Sequence, residues 1–218
     1  MQTLVIAFRA VVILVILAAA AHGREMAGKI GITPQIGLLK SAGEFSERLD
    51  LGLCYGLVME YHVSGKASVG LQLSHEDFNT TGEPYPSSST VDTWPIDGLG
   101  VQAKYTVAAM PFTDVFARVG FVLNDMEFPI LGWDVIGDLV SRSSRVSKMA
   151  AGFETGIGLS RHLSKRFAFY GEIEYSLLFT KGMSITKEPA TTWIAYDCAY
   201  NAQMAAIKMG LTLYLGGK

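Results

Sequence analysis

His162, Ser164 and the carboxylates Glu172 and Glu174 are the residue types from which a hydrolytic nucleophile, its base and an orienting acid are built. Their spacing does not assemble them. His162 and Ser164 fall at a short turn, and Glu172 lies several residues along the next segment. A second set is larger: Glu60, Glu154, Glu172 and Glu174 share one face of their segments with Lys104, Arg118 and Lys208. Carboxylate pairs can relay protons. Opposite charges enclosed in a narrow space must instead pair, because an unpaired buried ion is very costly. The structural network is the favoured reading. Cys54 and Cys198 are too few for a disulfide scaffold or a four-cysteine zinc site. Whether they pair stays open, since bridged Cα atoms must come within about 7 Å. His62 and His75 are not grouped with further ligands, so neither a metal site nor a cofactor is supported.

The elements that must position these groups are read from composition and pattern. Half of the 218 residues are hydrophobic, 17% are charged and 23 are glycine. An ordinary soluble surface carries about a quarter charged residues, and a disordered chain needs high charge with few aromatics. A net charge of −2 offers no basic field for nucleic acid. Residues 1–23 stand apart: Arg9, the apolar run Ala10–Ala21 and a small-residue exit at Gly23 follow the order of a secretory signal, removed from a domain of residues 24–218. The run is short of the roughly 20 residues of a spanning helix. No later stretch is long and apolar enough to make one.

What recurs instead is alternation with period two, the strand signal. In 167–180 the odd positions are Phe167, Phe169, Gly171, Ile173, Tyr175, Leu177 and Phe179, against Ala168, Tyr170, Glu172, Glu174 and Ser176. Segments 49–62, 114–124 and 204–215 repeat the pattern, and weaker versions lie at 29–39, 66–78, 98–108 and 148–162. On this pattern Leu49 joins the apolar face. Eight strands result. Their connections alternate between short (63–66, 109–113, 163–166) and long (40–48, 79–97, 125–147, 181–200). Up-and-down strands with short turns at one end and long loops at the other describe an eight-stranded antiparallel transmembrane β-barrel, all-β, with short periplasmic turns and long extracellular loops.

The two faces differ in the way this architecture requires. One is apolar and almost free of charge in the strand middles, which suits lipid. The other is rich in glycine, with Gly37, Gly56, Gly120, Gly156 and Gly158 among its members, which suits a crowded lumen. Pro34 cannot donate to a ladder, so a bulge or a frayed end is expected in the first strand. Trp94, Trp133 and Trp193 fall one in each of the three longest loops, as partner contacts or as interfacial anchors and lids over the barrel mouth. Residues 130–140 space Leu131, Val135 and Leu139 helically, which suggests a short amphipathic turn.

The stretch Leu163–Ser176 resembles the last short turn and seventh strand of the small OmpA-type and opacity-type outer-membrane barrels. The chain end, with Lys208, Gly210, Leu213 and Leu215, is similar to that family's assembly signal, although Leu215-Gly-Gly-Lys218 replaces the usual terminal aromatic. The resemblance implies a bacterial outer-membrane location at the cell surface of a Gram-negative bacterium. It implies as partners the outer-membrane lipid, lipopolysaccharide and the barrel assembly machinery. No periplasmic domain is expected after the last strand. The expected function is non-enzymatic, with a filled lumen and a structural or adhesion-like role through the loops. The alternatives are an outer-membrane enzyme acting on lipid, similar to a lipid A deacylase, and a soluble periplasmic lipocalin-like barrel.

Overall fold

The structure, a computed structural model, describes residues 26–42, 49–80, 93–110, 112–134, 140–185, 196–198 and 200–216. In chain order the strands are β1 (Ile30–Ala42), β2 (Leu49–His62), β3 (Ala67–Thr80), β4 (Thr93–Ala109), β5 (Thr113–Asp134), β6 (Val140–His162), β7 (Phe167–Leu178), β8 (Ser184–Ile185), β9 (Tyr196–Asp197) and β10 (Ala202–Leu215). Strands β1 to β7 and β10 form one closed barrel in which β1 pairs with both β2 and β10, and β8 and β9 form a separate two-residue ribbon. Every barrel pairing is antiparallel. Closure leaves the membrane-level strands no free edge, which lipid demands because it offers backbone groups no hydrogen bonds.

Alternation sorts the side chains as the two periods of the sequence require. Leu57, Met59, Leu71, Val101, Ile157 and Ile207 stand exposed on the outer wall. The opposite parity in the same strands is buried: Gln72, Gln102, Glu154 and Lys208 face inward. Toward the extracellular end the outer wall turns polar, with His75, Asp77, Asp97 and Asp125. The side chains of His75 and Asp97 meet at 2.6 Å there. The apolar wall is a lipid belt, and the polar band marks its upper limit.

Four expectations are corrected. Pro34 causes neither a bulge nor a frayed end. Ile32 pairs with Leu213 and Gln35 with Gly210 in one unbroken register, Pro34 sits opposite Leu57 of β2, and the Thr33 and Thr212 hydroxyls bond across the interrupted rungs at 2.8 Å. Leu49 turns inward and is 3% exposed, because the register shifts between Leu49 and Gly52. Trp94 belongs to β4 rather than to a loop and is buried. Residues 130–134 continue β5 instead of starting a helical turn, and β6 begins at Val140. Most of the expected third loop is therefore a two-stranded ribbon, paired without a break from Asp125↔Met149 to Asp134↔Val140. Above the lipid no face needs to be apolar, so these strands lack the alternation that betrays the others.

Candidate functional site

The inward side chains fill the barrel in three tiers. The middle tier is ionic. Arg118, on β5, reaches across the lumen: Nε donates to Glu172 at 2.7 Å, and Nη1 donates to Gln72 at 2.8 Å, Gln102 at 2.7 Å and Glu154 at 3.1 Å. Its Nη2 donates to Glu174. One planar guanidinium thereby ties β5 to β3, β4, β6 and β7, a use of its rigid fork of donors that a lysine could not copy. Lys208, directly opposite Glu172 in register, reaches past it and donates to both oxygens of Glu174 at 2.7 Å. Lys104 donates to Glu60, whose other oxygen accepts from Gln102 at 3.0 Å, and the Lys104 ammonium also lies 5.2 Å from the Phe116 ring centroid. The structure thus joins all seven charged residues singled out in the sequence, in two connected groups that share Gln102.

Glycine makes the room. A Cβ on Gly156 would overlap the Glu172 carboxylate, and one on Gly158 would overlap the Phe116 ring. Glu172 and Phe116 fill those spaces from the neighbouring strands.

The upper tier is apolar. Leu39, Phe78, Ile96, Val122, Met126 and Leu178 are all 2% exposed or less and belong to one cluster that also holds Trp94, Cys54 and Cys198. Met183 packs against it from the segment after β7. Cys54 and Cys198 are both buried and are not joined in a disulfide. The lower tier, at the periplasmic mouth, is aromatic and polar. Tyr214 clusters with Met26 and Ala168, Phe116 stacks on Tyr170 at 5.5 Å, and His162 Nε2 meets Asp114 at 2.7 Å.

The hydrolytic set is not brought together. His162 is engaged with Asp114, and Ser164 is an exposed turn residue whose hydroxyl accepts from the Arg166 and Phe167 amides at 3.1 Å. Glu172 is bound to Arg118 in the tier above. Sequence reasoning missed Gln72 and Gln102, which complete the arginine's shell, and Glu76, buried on the inward face of β3. The parity of 66–78, continued past Gln72, would have found Glu76. It also missed the Asp114–His162 pair, whose members stand 48 residues apart, near the start of β5 and at the end of β6. Of the chain-end residues, Lys208 is in the ionic tier, Gly210 lies against the Pro34 carbonyl, and Leu213 and Leu215 are on the outer wall. Trp193 lies outside the described residues, and Trp133 is a ribbon residue opposite Ser141.

A closed antiparallel barrel with an apolar outer belt and a filled interior that is ionic at its middle is an integral membrane barrel of the bacterial outer-membrane class. Residues 9–207 match the model of the outer membrane protein beta-barrel domain, and the chain belongs to that family. It is an integral protein of the bacterial outer membrane. None of the curated proteins matches. Among solved structures, the fold is similar to the outer membrane protein OprG from Pseudomonas aeruginosa, at 11% identity over 88% of this chain and 97% of that one, with a TM-score of 0.55. A major outer membrane protein from Thermus thermophilus gives 12% identity over 85% and 99%, with a TM-score of 0.54. Neisserial surface protein A gives 10% over 85% and 98%, with a TM-score of 0.52. At these identities the likeness is one of fold.

Proposed function

We propose that this protein is a non-enzymatic outer-membrane barrel whose lumen is a plug and whose extracellular segments carry a structural or surface-interaction, adhesion-like role. The observation that supports this reading is the filled lumen. Arg118 and its carboxylates occupy the middle of the barrel, and a packed apolar tier lies above them. Side chains at both levels leave chemistry inside the barrel little room. Recognition generally resides on loops that a rigid scaffold holds in place. In this reading residues 1–23 are a leader removed on export, and Lys208, Gly210, Leu213 and Leu215 are read by the assembly machinery. Lipopolysaccharide surrounds the upper wall. Trp133 and Trp193 lie in segments that serve contact, whereas Trp94 caps the lumen from inside.

The test is to replace residues 130–142 with a short Gly/Ser turn. Loop shortening costs little closure entropy, so the barrel should still assemble and still migrate differently on a gel before and after boiling. Its surface binding or adhesion should fall relative to a control altered at 63–66. A deletant that cannot fold, beside a control that can, would make the segment structural and move the search for function to the periplasmic end.

A further inference from the structure

The ribbon above the membrane has two outer edges, and they differ. Strand β4 follows β5 only as far as Met126, and β7 follows β6 only as far as Gly152. The Phe179 amide then donates to the Ala151 carbonyl at 2.8 Å. In an antiparallel strand the N–H and C=O of one residue point to the same side, and successive residues alternate sides. Since Ala151 points toward β7, so do Met149, Ser147, Arg145, Ser143 and Ser141. Among the described residues no strand meets this side of β6 over 140–150.

The same alternation places the Pro129 nitrogen on the outer side of β5, because Arg145, its partner in register, points the other way. A proline there removes a donor from that edge, a common protection against unwanted strand pairing. The β6 edge carries no proline, and its guard is charge of a single sign. Residues 140–150 read Val-Ser-Arg-Ser-Ser-Arg-Val-Ser-Lys-Met-Ala, with Arg142, Arg145 and Lys148 and no carboxylate.

We infer that the open edge of β6, residues 140–150, takes up an extended acidic segment of a partner protein as an added strand. This rests on the surface-interaction reading above and names the chemistry of its partner. Main-chain hydrogen bonds supply the affinity in strand addition, and side chains supply the selection. An opposing strand places its side chains within about 5 Å of those it faces, and opposite charges across such a pair are favourable. A second copy of this chain fits less well. Pairing of two β6 edges sets the three cations against themselves, and the β5 edge of a second copy carries Pro129. A sulfated glycan would satisfy the charges but leave the row of amides and carbonyls unused.

Full-length protein refolded in detergent micelles is titrated against a labelled peptide of alternating threonine and glutamate, with fluorescence anisotropy as readout. Saturable binding is expected. It should weaken by roughly tenfold or more when the peptide backbone is N-methylated, and similarly with Ser143→Pro, which removes an edge N–H that β5 does not use. Heat-modifiability reports whether that variant is folded. If it is not, Arg142→Glu combined with Arg145→Glu should lose the glutamate peptide and gain its lysine counterpart. Equal binding of the N-methylated peptide, or no binding of the glutamate peptide, would overturn the proposal. So would a heparin oligosaccharide that binds Ser143→Pro as well as wild type and displaces the peptide, which marks a glycan patch. If the 130–142 replacement still abolishes cell-surface binding in that case, the interaction reading stands and only the partner chemistry is wrong.

Discussion

The middle and upper tiers of the lumen are filled by opposite means. Arg118 holds its tier together through directed bonds to five side chains on four strands, so each member depends on the others. Phe78, Ile96 and Leu178 hold theirs by packing, with almost no exposure and no directional requirement. An ionic cluster need not be more stabilising than an apolar one of the same shape. It is more sensitive to losing one partner, because the charges left behind remain buried. An apolar tier loses area and gains a cavity, and the loss depends on how well the site collapses.

That contrast orders the expected effects of substitution. Arg118→Ala should be the most damaging. It strands Glu154 and Glu172 and leaves Glu174 to Lys208 alone, and a loss of about 5 kcal/mol is expected in urea-dependent folding into detergent or lipid. Phe78→Ala, in the upper tier, should cost about 4 kcal/mol and leave a folded, heat-modifiable barrel. An Arg118→Ala barrel that is more stable than Phe78→Ala would break the comparison. On the outer wall, Leu57→Arg and Leu211→Arg should each hinder insertion by about 3 kcal/mol near the bilayer midplane. If both assemble as well as wild type, the inside–outside assignment is reversed. The smallest effect belongs to Thr33→Val. It removes a single hydroxyl bond beside Pro34 and should cost about 1 kcal/mol in the same folding assay.

How much was legible in the sequence follows from the same two tiers. The ionic tier lies at bilayer depth, where lipid outside forces alternation, so Glu60, Glu154, Glu172, Glu174, Lys104, Arg118 and Lys208 could be put on one face by counting. Their individual partners could not be counted out. Lys208 faces Glu172 in register yet bonds Glu174, because a long side chain crosses a rung. The upper tier breaks the rule that the inward face is polar. Phe78, Trp94, Ile96 and Met126 are apolar on the inward parity, at strand ends where the outer wall turns polar. There the pattern inverts, and period-two reading loses its sign. The ribbon of β5 and β6 was hidden for a related reason: the run Phe128–Leu131 and the serine-rich run after Val140 do not alternate between apolar and polar residues, so the period-two signal is missing although the strands pair.

The central claim is that the lumen is a plug, and conduction tests it most directly. Purified wild-type protein reconstituted in planar bilayers at neutral pH should show no large, steady conductance, since eight-stranded barrels leave room for side chains and these occupy it. A stable channel that passes hydrated ions under those conditions would contradict the account.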